Sequence, residues 1–111
     1  MDANKLKEIL DAHKLWREDK GGKRADLRYA NLSGADLRDA NLDYSAWPIW
    51  CGGLHAKTDR RLMAQLAYHF CDQDCDDPDY IKARDAILWF ANSFHRSGEC
   101  GELEPRGEGK T

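Results

Sequence analysis

Apolar residues fall into three regimes along the chain, and each predicts a different local structure. From Asn4 to Asp19, Leu6, Ile9, Leu10, His13 and Trp16 recur at the three-to-four spacing of a helix, with Lys7–Asp11 and Lys14–Glu18 as four-apart pairs on the wet face. Gly21-Gly22 predicts the stop. Between Ala25 and Tyr44 the spacing is neither helical nor alternating. Ala and Leu return every five residues in four uninterrupted units: Ala25-Asp26-Leu27-Arg28-Tyr29, Ala30-Asn31-Leu32-Ser33-Gly34, Ala35-Asp36-Leu37-Arg38-Asp39 and Ala40-Asn41-Leu42-Asp43-Tyr44. A helix repeats near 3.6 and a strand at 2, so neither keeps these positions on one side, and the segment must coil in another way. After Gly52-Gly53 helical spacing resumes. Thr58 predicts an N-cap for a helix reaching about Phe70, with Leu62, Met63, Leu66, Ala67 and Phe70 on its apolar face. Asp77-Pro78 predicts the start of a second helix to about Phe94, with Ile81, Ile87, Leu88, Ala91 and Phe94 inward. Two helices joined by a short acidic turn make an antiparallel hairpin. From Gly101 onward one large apolar residue in ten predicts a mobile tail.

Repetition at a fixed period points to a solenoid. The Ala-Asp/Asn-Leu-x-x pattern resembles the pentapeptide-repeat family, whose fold is a right-handed quadrilateral β-helix with four units to a square coil. The resemblance implies that Leu27, Leu32, Leu37 and Leu42 point inward beside Ala25, Ala30, Ala35 and Ala40. Ser45-Ala46-Trp47-Pro48-Ile49 reads as a fifth, degenerate unit, with Trp47 where Leu belongs. The expected fold is therefore mixed α and β. It is a short β-helix of about one coil (21–50), capped by an N-terminal helix (1–20) and by a C-terminal two-helix hairpin (51–98), with a flexible tail (99–111), all in one compact domain. A single coil has no second coil to pair with and presents open edges above and below. Flanking segments, a second copy of the chain or a partner must cover them.

Composition narrows the function. The 111 residues suit one domain with a modest core, and 17 basic against 20 acidic residues leave a net charge of −3. That balance argues against sequence-independent nucleic-acid binding and against adhesion to anionic membranes. No apolar stretch reaches membrane-spanning length, and Glu8 and Asp11 interrupt any signal-peptide pattern, so a cytoplasmic location is expected. In that compartment Cys51, Cys71, Cys75 and Cys100 are read as reduced thiols or metal ligands.

Outward positions of the coil carry Asp26, Asp36, Asp39 and Asp43 against Arg28 and Arg38, with Tyr29, Tyr44, Asn31, Asn41, Ser33 and Gly34. Tyr44, Trp47, Pro48, Ile49 and Trp50 form a dense aromatic patch, read either as a docking surface or as a seal between coil and helices. Arg28, Tyr29, Arg38, Asp39, Tyr44, Trp47, Ile49 and Trp50 are the possible interface. His69, Cys71, Cys75 and Cys100, with His95 and Cys51, offer zinc-ligand types. Their spacing is looser than a CxxC pair, and antiparallel helices would separate them, so buried thiols are the preferred reading. Asp72, Asp74 and Asp76 repeat the opening of an EF-hand loop, but Asp77 and Ala83 stand where Gly and Glu are needed, and helix N-terminal charge accounts for the acids. Gly109-Lys110-Thr111 lacks the rest of a phosphate-binding loop. With no catalytic constellation and no cofactor motif, the expectation is a non-catalytic protein-binding module. Its size and arrangement resemble small pentapeptide-repeat proteins of phages and prophages, which implies binding and inhibition of a bacterial protein such as a nucleic-acid-acting or antiviral defence complex. The alternatives are a self-assembling dimer through the coil edge and a small zinc-stabilised module.

Overall fold

A computed structural model describes residues 1–107. It divides the chain into two compact units, Met1–Asp59 and Arg60–Thr111.

The first unit opens with helix α1, Ala3–Arg17, capped by the Asp2 carboxylate, which accepts from the Asn4 N–H at 2.7 Å. Glycine then turns the chain back against the helix. At Gly22, with φ +75°, a Cβ would sit 2.2 Å from the Ala12 carbonyl oxygen. Only a residue without one lets the next amide, Lys23 N–H, donate to that oxygen at 3.1 Å.

In the repeat segment, 25–44, the chain bends once per five residues. Each bend is closed by a backbone bond to a leucine carbonyl: Ala30 to Leu27, Ala35 to Leu32, Ala40 to Leu37 and Ser45 to Leu42, at 2.9–3.1 Å. The Asp or Asn at the second place of each unit braces the bend. Asp26, Asn31, Asp36 and Asn41 accept from the amides of Arg28, Ser33, Arg38 and Asp43 at 3.0–3.2 Å. This is the Asx turn, which short acceptor side chains alone can make. Leu27, Leu32, Leu37 and Leu42 are buried, with Ala25; Ala30, Ala35 and Ala40 are half-buried.

The expected quadrilateral β-helix is not formed. The architecture is helical, and no strand occurs among the described residues. β pairing amounts to two isolated parallel bridges, Asp26 with Ala46 and Asp36 with Lys57. The physical reason lies in the segment that returns beneath the repeats. Its register slips from twenty residues at the first bridge to twenty-one at the second, and a turn, Cys51–Gly53, interrupts it. A ladder needs consecutive residues in one register. Single bonds are made instead: Leu27 N–H to Ala46 O, Leu32 N–H to Gly52 O and Leu37 N–H to Lys57 O, at 2.7–2.8 Å. Gly52 fits because a Cβ would lie 2.2 Å from the Trp50 ring and 2.8 Å from the Ala30 oxygen.

The second unit contains α2, Arg60–Cys71, α3, Pro78–Ala91, and a single turn α4, Ser97–Cys100. Asp77 caps α3 by accepting from Tyr80 N–H at 3.0 Å, with Pro78 in the first turn. Tyr68, Cys71, Leu88, Ala91 and Phe94 form its core, with Ala67 and Leu103 packed against it. The inward row of α3 differs from the expected one. Ile87 is exposed and Ile81 half-buried, while Arg84 is buried. Its Nε donates to Cys71 O at 2.8 Å and Nη1 to Asp85 at 2.7 Å and to Glu104 O at 3.0 Å. An arginine holds this inner position because three oxygens surround it.

Those bonds also correct the reading of residues 101–107 as a mobile tail. Leu103 N–H donates to Asn92 Oδ1, Asn92 Nδ2 to Leu103 O, and the amides of Arg106 and Gly107 to the Asp85 carboxylate. One half-buried leucine and a set of hydrogen bonds replace the apolar density whose absence suggested mobility. The rest of that stretch, with Gly109-Lys110-Thr111, lies outside the described residues.

Candidate interaction surface

Two of the eight residues expected at an interface are almost wholly in water. Tyr29 is 87% and Ile49 97% exposed, and Trp50 is 49% exposed. Tyr29 lies on the stretch between the bonds Leu27–Ala46 and Leu32–Gly52, and Ile49 and Trp50 lie on the return segment between the same two bonds. Trp50 is held in place by lying over Gly52. Trp47 and Pro48 behave differently, half-buried and fully buried. The aromatic patch read as one feature is thus split, with Trp47 and Pro48 turned in and Ile49 and Trp50 turned out.

Arginines in the surface are already paired. Arg28 forks onto Asp26, with Nε at 2.8 Å and Nη2 at 2.6 Å, and Arg38 repeats the geometry on Asp36 at 2.9 and 2.7 Å. The pairing follows from the repeat: the second and fourth residues of a unit flank the same bend. Hydrogen bonds from the Arg28 side chain and amide hold the Asp26 carboxyl at about 2, and the corresponding bonds from Arg38, with the Lys57 charge beyond it, push Asp36 lower still. The Arg28 guanidinium also sits 5.7 Å from the Tyr29 ring centre. The corner is therefore apolar and locally neutral. Arg38 and Asp39 lie two bends further on, where the Asp39 amide donates to Asp59 at 2.7 Å. Tyr44 is 6.4 Å, edge-on, from Trp16 of α1 and not part of the corner.

Sequence reasoning placed His13 on the apolar face of its helix but did not find its role. The ring is fully buried. Ala25 N–H donates to Nδ1 at 3.0 Å, and Nε2 lies 2.8 Å from Asp43 O. A backbone amide can only donate, so Nδ1 is the acceptor and Nε2 carries the proton. Burial pushes this imidazole below its usual value; the Asp43 carbonyl opposes the shift, and the Arg17 and Arg24 charges add to it. A 630 Å³ groove, which the ring itself does not line, is bounded by Trp16, Arg17, Asp19, Gly21, Gly22, Asp43 and Tyr44.

Both edges of the repeat segment are met within its own unit. The return segment takes the amides of Leu27, Leu32 and Leu37, and α1 takes Ala25 N–H and Asp43 O through His13.

Metal-ligand types do not converge. Among the described residues no three His, Cys, Asp or Glu side chains stand where they could hold an ion. Cys71 is buried with Sγ 3.6 Å from Arg84 O, and burial pushes its thiol up. Cys75 is half-buried, whereas Cys51, Cys100 and His69 are exposed. Of the acids, Asp76 pairs with Arg106 and Asp77 caps α3. No helix among the described residues is long and apolar enough to cross a membrane.

No curated protein and no solved structure matches the chain. Residues 23–45 match the family described as pentapeptide repeats (8 copies), so the segment whose leucines and Asx turns are described above is what this chain has in common with the pentapeptide repeats.

Proposed function

We propose that the chain is a non-catalytic protein-binding module whose contact surface is the corner formed by Tyr29, Ile49 and Trp50. One observation carries this reading: large apolar side chains stand in water on a bend that is fixed from beneath by backbone bonds and from the side by the Arg28–Asp26 fork. A backbone fixed before contact lowers the ordering cost of binding, and Tyr and Trp dominate binding energy where they are buried by a partner. The neutralised charges make the surface a match for an apolar patch rather than for a polyanion.

The test is affinity capture from bacterial lysate with the wild-type chain and with a Tyr29→Ser/Ile49→Ser double variant, whose substitutions leave the interior untouched. A protein retained by the wild type and lost from the variant is expected. Equal retention on both, or no reproducible partner, rejects the reading. The finer proposal, an accessory protein of a phage or other mobile element that inhibits a bacterial nucleic-acid-acting or antiviral defence complex in the cytoplasm, extends the likeness of the repeat segment and rests on it alone.

A further inference from the structure

We propose that protonation of His13 releases α1 from the repeat segment, so that the helix is an acid-opened cover over one edge of that segment. The geometry leaves the ring no neutral way to take a second proton. Nδ1 is the atom that would receive it, and the Ala25 N–H already points at that atom from 3.0 Å. Protonation turns the acceptor into a donor, so two N–H groups would meet head-on in a site without water access. The other nitrogen is committed to Asp43 O.

Charges around the ring point the same way on balance. From its own helix, Arg17 approaches, and Trp16 stacks 5.8 Å away. From the connecting loop comes Arg24, whose guanidinium is 5.7 Å from the centre of the Trp16 ring. From the repeat segment comes Asp43, the one acidic group, and Tyr44 closes the far side of Trp16. Two cations against one carboxylate, in a buried site, disfavour an imidazolium.

Around His13 the helix is held by partial burial, with Ile9, Leu10, Ala12, Trp16 and Arg17 half-buried and Trp16 against Tyr44. Of its fifteen residues only Leu6 and His13 are buried, and grooves of 300 and 480 Å³ run along its two sides where it meets Ala25-Asp26 and Ser33–Asp36. Apart from those side chains, the Met1 amine to Asn31 O and Lys23 N–H to Ala12 O tie this end of the chain. Protonation removes the bond from Ala25 and puts a charge on the buried ring, while Nε2–H goes on donating to Asp43 O, so the central attachment is weakened at its Ala25 side. The ordinary imidazole value of 6.5 is lowered in the covered state, so just below that pH the covered state binds fewer protons than the open one, and acid shifts the balance towards opening. Each pH unit through the window changes the ratio up to about ten-fold. Asp26 and Asp36 are held far lower and keep their charge there.

Imidazole and amide NMR on the full chain tests the device, with His13→Gln as the non-titrating variant, since an amide side chain can accept from Ala25 and donate to Asp43. At neutral pH the ring is expected as the Nε2–H tautomer, with the Ala25 and Lys23 amides protected from exchange. As His13 titrates, their protection is lost after correction for the intrinsic rate, while α2 and α3 amides keep theirs; in His13→Gln the loss is absent. An Nδ1–H tautomer at neutral pH overturns the proposal, as does continued protection of Ala25 after protonation. Loss of α2 and α3 protection at the same pH overturns it too, because that is global unfolding, and so does a His13→Gln variant that opens at the wild-type pH. If that variant does not fold, the wild-type readouts decide alone. The Tyr29 corner is tested separately, so either idea can fail without the other.

Discussion

Leu32 and Leu37 each fill the inside of a bend whose closing bond is made by their own carbonyl, so side-chain burial and backbone geometry depend on each other. Leu32→Ala should therefore cost about 2–5 kcal/mol, read from denaturant midpoints at unchanged slope. Asn41 is a gentler case. Its Oδ1 accepts from the Asp43 amide at 3.0 Å, and Asn41→Ala should cost about 0.5–1.5 kcal/mol, whereas Asn41→Asp should be nearly neutral. The Asp/Asn alternation of the repeat follows from this, because either side chain makes the same turn. For Asp26 the carboxyl value near 2 lies below the ordinary 3.8, so the folded state binds fewer protons between those values. Stability it contributes is complete above about pH 4 and is lost as pH falls towards 2, which acid titration of Asp26→Asn against wild type would show as a missing component. His13 shows what a residue pattern hides. Helical spacing puts it on the inner face, but the amide and carbonyl that use its two nitrogens lie twelve and thirty residues away.

At the level of elements, α1 and its return are joined by Gly22, where a Cβ would meet the Ala12 oxygen at 2.2 Å. Gly22→Ala should cost about 1–3 kcal/mol and loosen the Lys23 amide selectively in hydrogen exchange. In the second unit the corresponding fastener is Arg84. Arg84→Leu keeps the volume but strands Cys71 O, Glu104 O and part of Asp85; a loss of about 3 kcal/mol is expected, with the amides of Leu103, Arg106 and Gly107 deprotected first. The start of α3 was legible because capping is local: Asp77-Pro78 opens it as its spacing predicts, whereas α2 begins at Arg60 and not directly after Thr58. The inward face of α3 was not. Leu88 and Ala91 agree with apolar periodicity, but Arg84 takes a core position by collecting oxygens from two other segments, and Ile87 is left outside. The last described residues were misread for the same reason, since Asp85 and Asn92 hold them with hydrogen bonds that leave no apolar signature.

For the whole molecule, thiol accessibility tests the placement of the cysteines. Cys51 and Cys100 are exposed and should react rapidly with a disulfide reagent in the native state. Cys71, buried and with its thiol pushed up, should react only on unfolding, and peptide mapping distinguishes them. Rapid native labelling of Cys71 would show that the core around Tyr68 and Leu88 is not closed. The sequence alone determined that the repeat segment buries its four leucines, that it bends every five residues, and where α1 and α3 begin, because those properties arise from contacts within a few residues. By contrast Asp43, read as outward, is buried, and Ala30, Ala35 and Ala40, read as inward, are half-buried. Tertiary structure decided the rest. It replaced the expected β-helix by single bonds to a return segment whose register slips, committed His13 to two distant backbone groups, put an arginine into the row facing the core, and parted Ile49 and Trp50 from Trp47 and Pro48. Each of these depends on which polar atoms from remote parts of the chain arrive at a site, and the spacing of apolar residues carries no record of that.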